Sequence, residues 1–316
     1  MAVDASAREP LFGVMLLPVA VPFNRLEATA RLADDLGYDT LWLFDHLDTP
    51  HAEPGAQPLD LYEGWTTATW LAARTEQIRI GHNVLCAPLR HPALLAKMAV
   101  TLDVASGGRA ELGIGWGSMP TELRRFGFGD EGGRVRAARL RETLEILELM
   151  WQGEAFEYRG EHYQVPDGIG RPRPVRGHIP IQIGGVGPTL TMPLVARFAD
   201  WWNCPPTGLE RFDELRGLAG QARVALQMVV GMVPSSTMRE RVERDTESRF
   251  GATWGGSVVG TPDEVAAALR RHVDRGIRQL IIQFHDYGRR QSLELFATEV
   301  MPAIRATAAT AAEGAA

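Results

Sequence analysis

The chain has 316 residues, 45% of them hydrophobic and 23% charged, with a formal net charge of −6. That balance excludes a general nucleic-acid binder, which needs a large basic excess, and two cysteines, Cys86 and Cys204, exclude a disulfide framework and fit a reducing compartment. No apolar run reaches the roughly 20 residues of a membrane span, and the first residues lack the apolar core of a signal peptide, so a cytoplasmic protein is expected.

Short apolar runs alternate with longer helical patterns along the chain. After a polar lead-in over 1–9, residues 12–17 (FGVMLL) form a continuous apolar run, as in a strand covered on both faces. Residues 24–36 place Leu26, Ala30, Ala33 and Leu36 at helical spacing, and Gly37 stops the helix. A second strand is expected over 40–44, an alanine-rich helix over 65–74, and a third strand over 78–85. Pro92 opens a helix to about Val104, Gly107 and Gly108 close it, and 109–115 read as a fourth strand. The longest amphipathic helix covers 134–151.

From 153 to about 178 the rhythm breaks into a Pro/Gly-rich insertion, with a small hairpin expected over 156–165. Strands then follow over 179–183, 200–203 and 225–233, with helices over 190–198, 237–250 and 261–276. Thr261, Pro262 and Glu264 spell an N-terminal cap for the last of these. The pattern ends in a strand over 278–284 and a helix over 291–305, and 307–316 read as a frayed tail.

Eight strands interleaved with helices, with no polar linker between halves, predict an α/β fold: one TIM-type (β/α)8 barrel spanning 1–316. A doubly wound sheet would carry a GxGxxG turn early in the chain, but the first strand runs into Leu17 and Pro18.

In such a barrel the chemistry stands at the carboxyl ends of the strands. There the sequence places Asp45-His46, Asn83 to Cys86, Gly115-Trp116-Gly117-Ser118, Gly184-Gly185-Val186-Gly187 and Gln283-Phe284-His285. His46 is the sharpest candidate, because an imidazole held in one tautomer can exchange a proton with a ligand; the plainer alternative is a histidine capping its loop. Asp45 either supports it or turns into the barrel wall. The glycines between strand and helix let backbone N–H groups approach an anion, and Thr189 would add a hydroxyl.

Other features read as ordinary. His46 and His51 have no third ligand at zinc spacing, and neither Ser118 nor Ser257 sits in a GxSxG elbow. Cys86 reads as a small buried thiol, and Arg171, Arg173 and Arg176 as a solvated turn. Trp42, Trp65, Trp116, Trp201 and Trp202 either wall a pocket or fill gaps between helices and barrel.

The stretches TLWLFDHL, IRIGHNVLCAPLRHPALLAKMAVTLDVASGGRAELGIGWG, IPIQIGGVGPTL, ARFADWWN and VGTPDEVAAALRRHVDRGIRQLIIQF resemble the luciferase-like flavin monooxygenase superfamily, in particular its branch using the deazaflavin coenzyme F420. The resemblance implies a flavoprotein oxidoreductase that binds a planar tricyclic ring in the barrel mouth. His46 would stand near the ring with Asp45 behind it. Leu85, Cys86 and Ala87 would form a bulge under the ring, often with a non-proline cis peptide, and Leu16, Trp116 and Ser118 would adjoin the coenzyme. Gly184, Gly185, Val186 and Gly187 would hold its phosphate. It also implies pairing as a homodimer.

Two departures stand out. Sugar-phosphate dehydrogenases of that branch carry a carboxylate where this chain has Ser118, and many relatives have Asn after Gly-Trp where this chain has Gly117, with Thr121 the nearest hydroxyl. Both weigh against a sugar-phosphate substrate and leave the proton donor to His46 or, second, Glu122. The expected activity is hydride transfer between F420 and an organic substrate. The alternatives are a monooxygenase using FMN, oxygen and a separate flavin reductase, and a flavin-binding protein without turnover.

Overall fold

Both faces of the first apolar run are buried, and in different places. Phe12, Val14 and Leu16 of strand β1 (Leu11–Leu16) face outward into the main core under the helices, while Leu11 and Met15 face a second core inside the barrel. Period-two alternation with an apolar residue on each face produces this double burial. After helix α1 (Phe23–Asp35), strand β2 (Thr40–Leu43) divides the same way, with Leu41 and Leu43 outward and Trp42 inward. Trp42 fills the lumen so closely that a Cβ on Gly13 would lie 2.9 Å from its Nε1 and 2.4 Å from Thr40 Oγ1.

The computed structural model describes residues 10–48, 57, 59–251 and 256–306. The lead-in and tail read from the sequence, and His51, lie outside them. The chain continues through α2 (Gly64–Ala73), β3 (Arg79–His82), β4 (Leu85–Cys86), α3 (Pro92–Ala105), β5 (Leu112–Gly115), α4 (Pro120–Arg125) and α5 (Gly133–Gln152). A hairpin of β6 (Ala155–Arg159) and β7 (Gln164–Ile169) precedes β8 (Ile181–Gly184), α6 (Met192–Phe198), β9 (Trp201–Cys204) and α7 (Phe212–Leu218). Then follow β10 (Arg223–Met232), α8 (Arg239–Phe250), β11 (Ser257–Gly260), α9 (Pro262–Asp274), β12 (Ile277–Phe284) and α10 (Arg290–Leu295), which continues through a π-helical turn.

Neighbours run β3-β2-β1-β12-β10-β9-β8-β5-β4 in parallel register. Ile80 closes the ring, donating to Arg109 O at 2.8 Å and accepting from Glu111 N at 2.8 Å. With β3 and β4 sharing one position, the ring has the eight positions of the expected α/β barrel.

Two details, the strand break and the β10 extension, differ from the sequence reading, and the hairpin expected in the insertion is present. The third strand is broken after His82, and the cis peptide lies between Asn83 and Val84, ahead of the 85–87 bulge expected. The insertion is an antiparallel hairpin, held by the Glu142 carboxylate, which accepts from the N–H groups of Glu161, His162 and Tyr163 at 2.8, 3.0 and 2.9 Å. Strand β10 extends beyond the barrel, where it pairs with the additional strand β11, and α8 joins the two. This carries the carboxyl end of α8 to the barrel mouth.

Candidate active site

A cavity of about 710 Å³ opens among the carboxyl ends of the strands. It is bordered by Met15 on β1, Leu17 just after it, His46 after β2, Cys86 on β4, Trp116 after β5, and Gly184 on β8. Gln227 of β10, Phe250 of α8 and Tyr287 after β12 complete the far side.

The three residues that follow strand β2 keep its alternation. Phe44 joins the lumen core, Asp45 turns toward the helical layer, and His46 reaches the cavity. His46 Nδ1 lies 2.9 Å from Glu122 Oε2, and Glu122 Oε1 accepts from the backbone N–H of Leu47 at 2.6 Å and Asp48 at 3.2 Å. Burial works against the Glu122 carboxylate, but the bond from His46 and the two backbone donors outweigh it and hold the carboxyl below its ordinary value. An ionised Glu122 keeps the proton of a neutral ring on Nδ1 and leaves the lone pair on Nε2. Glu122 thus holds the His46 ring in one orientation.

Asp45 serves the wall. Its carboxylate takes both arms of Arg90, at 2.6 and 2.9 Å, and the N–H of Cys86 at 2.9 Å. Arg90 also donates to Glu63 at 2.6 Å, and Glu63 caps α2 by accepting from Trp65 N and Thr66 N. This chain of charges, buried at Asp45 and partly exposed at Glu63, ties β2, β4 and α2 together beside the strand break at 83–84. Arg90 is a residue that sequence reasoning missed; the HP pair that opens α3 directly after it was the available signal. Burial pushes the Cys86 thiol up to about 12, so it borders the cavity without being a nucleophile near neutrality.

On the opposite wall, Gly184, Gly185, Val186 and Gly187 curl into the turn before α6. Gly185 has φ +129°, and a Cβ on Gly185 or Gly187 would sit 3.2 Å from the Thr191 side chain. The N–H groups of Val186 and Gly187 have no protein acceptor among the described residues. Thr191 Oγ1 accepts from Trp116 Nε1 at 3.2 Å, and Arg136 stacks 5.2 Å from the Trp116 ring.

The floor is made of amides. Asn83 Oδ1 accepts from Gln182 and Asn203 at 3.1 and 2.8 Å, Asn83 Nδ2 donates to Gln227 at 3.0 Å, and Gln227 donates to Gln283 at 3.1 Å.

Of the residues singled out from sequence, His46, Asp45, Glu122, Leu85, Cys86, Trp116, Ser118, Gly184, Gly185, Val186 and Gly187 border this one cavity. Leu16, Ala87 and Thr121 do not. Leu16 has outward parity on β1, where Met15 and Leu17 face the cavity instead, and Ala87 packs into the main core. Thr121 is exposed on α4, and the hydroxyl at the glycine turn is that of Thr191 in place of Thr189. Only Trp116 of the five tryptophans borders the cavity. Trp42 and Trp201 fill the lumen core, Trp65 stacks on His82, and Trp202 stacks on Phe212. No cluster of three metal-ligating side chains occurs among the described residues, and none of their helices is long and apolar enough to cross a membrane.

The chain matches the family model of luciferase-like monooxygenases over residues 11–225. It is 30% identical to an F420-dependent glucose-6-phosphate dehydrogenase of Microbacterium testaceum, covering 89% of this chain and 94% of that one. In fold it is similar to the F420-dependent tetrahydromethanopterin reductase of Methanopyrus kandleri (TM-score 0.72, 21% identity, 93% and 99% of the two chains). It is likewise similar to an EDTA monooxygenase from Chelativorans (TM-score 0.79, 16% identity, 95% of each chain). At these two identities the likeness is one of fold.

Proposed function

The chain belongs to the luciferase-like monooxygenase family, and from that premise we propose that it is an oxidoreductase moving hydride between the deazaflavin coenzyme F420 and an organic substrate. The observation that carries this reading is the facing of two unlike walls across one cavity: a carboxylate-held imidazole at 46 and a glycine turn at 184–187. The curated relative from Microbacterium, similar over most of its length, is named for the same coenzyme.

The residues present fit such a group. The volume suits a flat ring system with a tail, and the glycine turn offers backbone donors where side chains would crowd Thr191. Val84, Leu85, Cys86 and Trp116 would hold the ring; Gly184, Gly185, Val186, Gly187 and Ser118 would hold the phosphate-bearing tail. When bound, the coenzyme supplies a carbon that gives or takes hydride and reacts poorly with oxygen.

The chain's own part is binding, orientation and one proton. His46 Nε2 accepts the proton of a substrate hydroxyl as it is oxidised, or returns it to a carbonyl oxygen in the reverse direction. Glu122 holds the ring in the tautomer that this needs. The Asp45–Arg90–Glu63 chain stands beside the strand break against which the ring would rest, and Phe44, Phe250 and Leu17 exclude water from the cavity wall. The sugar phosphate in the relative's name is not carried over, because Ser118 stands where that chemistry has a carboxylate. The two unpaired cysteines fit a cytoplasmic location. Pairing with a second copy is proposed through the helical face where α2 and α3 expose Trp70 and Leu94, and sedimentation velocity tests it.

Titration of the purified chain with F420 and with FMN, followed by fluorescence, tests the reading. Saturable F420 binding without oxidation of reduced FMN is expected. Preference for FMN with oxygen consumption would make the chain a monooxygenase. Binding of either without turnover of any alcohol or carbonyl substrate would make it a carrier.

A further inference from the structure

The two halves of the cavity differ in chemistry, and the half away from the glycine turn describes a substrate. Around the barrel, β8 and the glycine turn lie opposite β12 and β1. On that far side the wall is apolar: Met15, Leu17, Val19, Phe250 and the Tyr287 ring, with Gln227 below. One cation interrupts it. Arg249 is the only arginine or lysine that borders the cavity among the described residues.

The carboxylates of the cavity cannot neutralise this guanidinium. Asp45 is committed to Arg90, and Glu122 to His46 and two backbone N–H groups. Arg249 is itself held in place: Nη1 donates to His285 O at 2.7 Å, and the guanidinium carbon lies 5.6 Å from the Tyr287 ring centre. Its nearest carboxylate, Asp245, stands 3.9 Å from Nη2, beyond hydrogen-bond distance, and lies equally far from Arg241 Nε.

Arg249 also opens onto a second cavity, of about 340 Å³, which shares Ala20, Arg249 and Tyr287 with the first. That chamber is polar. Arg25, Arg241, Arg249 and Arg289 border it against two carboxylates, Asp245 and Asp286. Asp286 is already engaged, accepting from Ser292 Oγ at 2.8 Å and from the N–H of Gly288 and Arg289. The junction of the chambers is therefore electropositive, and among the described residues the Nη2 and Nε donors of Arg249 have no hydrogen-bond acceptor.

We propose that the substrate is an organic anion with an apolar body, and that Arg249 anchors its carboxylate at the junction of the two chambers while the body lies along the far wall. This names the substrate class for the reading above and rests on it for the placement of the coenzyme on the glycine side. Arg249 is then a specificity-determining residue, and it lies at the end of α8, the helix carried to the mouth by the β10–β11 extension.

Isothermal titration of the full chain, without coenzyme, with 4-phenylbutyrate and with 4-phenylbutan-1-ol tests the proposal. The acid is expected to bind about tenfold more tightly or better, the usual scale of a hydrogen bond to a charged group. Arg249→Gln should erase that preference while leaving the alcohol's affinity in place, and Arg249→Lys should retain part of it. Should the Gln variant fail a circular-dichroism check of folding, the Lys variant and a salt series on the native chain decide, since the acid's advantage must shrink as salt rises. Equal binding of acid and alcohol, no binding of either, or a preference that survives Arg249→Gln or is indifferent to salt would overturn it. F420 titration of the same variants is a separate readout: the coenzyme reading stands or falls on that result, whatever the acid does.

Discussion

At the amino end of the barrel, Glu111 pairs with Arg79 at 2.6 Å and His178 with Asp200 at 2.7 Å; at the carboxyl end, Asp45 pairs with Arg90 at 2.6 Å and Glu122 with His46 at 2.9 Å. The residue types are alike, yet Glu111 and Glu122 behave oppositely, while Asp200 at the amino end is pulled down, as Glu122 is, by its histidine and a backbone N–H. Burial outweighs Arg79 and pushes Glu111 up to about 7, whereas burial of Glu122 is outweighed by His46 and two loop N–H groups, which pull it down. At the amino end the strands begin against a packed plug, with Arg223 stacked 3.9 Å from the Trp201 ring. Backbone donors commit the Glu122 carboxylate to one partner, as the Ile181 N–H does for Asp200, but of the two only Glu122 borders the cavity. A buried ion pair becomes useful chemistry where loop donors fix its charge state and a cavity lies beside it.

The sharpest way to break this contrast is His46→Ala. Turnover is expected to fall about 10²–10⁴-fold, the usual contribution of a positioned acid–base group, with F420 affinity and far-ultraviolet circular dichroism retained. Turnover within a few-fold of the native chain would remove His46 from the reaction.

The amino end predicts a change of stability and none of turnover. Glu111 releases its proton near 4.5 when unfolded and at about 7 when folded. Its contribution is therefore fully present below 4.5 and is lost as pH rises through about 7, which amounts to up to about 3 kcal/mol. Urea melts of the native chain and Glu111→Gln across that window should diverge with pH; a constant difference would contradict the assignment.

Glu122→Gln sharpens the contrast from the other side. Loss of the tautomer-fixing partner should lower turnover by about 10–100-fold, the usual scale for a group that orients an imidazole. Because the folded value lies below 4.5, the native contribution is present above 4.5 and lost as pH falls below it. The native pH–rate profile should therefore carry an acidic limb that the variant lacks; identical profiles would reduce Glu122 to a loop cap. The smallest effect is expected for Gly185→Ala. A Cβ at φ +129°, 3.2 Å from Thr191, should cost about 1–2 kcal/mol, read as weaker F420 binding with turnover at saturation unchanged. An unaltered dissociation constant would detach the glycine turn from the coenzyme.

Much of this was legible in the sequence because the barrel strands are apolar on both faces and the helices carry their own stops. The run at 12–17 and the cap at Thr261 specify their elements locally, and the capping box of Thr261 and Glu264 is present. Contacts set by register were not legible. Glu122 meets His46 across 76 positions, and Arg90 meets Asp45 across 45, so neither partner shows in local spacing. Leu16 was one residue out of phase with the cavity, since a single step along a strand exchanges lumen for wall. Residues 237–250 read only as an ordinary helix, because nothing local says that β11 pairs with the overhang of β10 and so brings Arg249 and Phe250 to the mouth.

The carboxyl-end cavity as a coenzyme site is tested most directly by a crystal structure of the full chain grown with F420. The account predicts coenzyme density spanning the cavity, its ring beside His46 and the break at 83–84 and its phosphate on the turn at 184–187. Ordered coenzyme bound elsewhere, or a phosphate lying against Arg249 with the glycine turn bare, would contradict it.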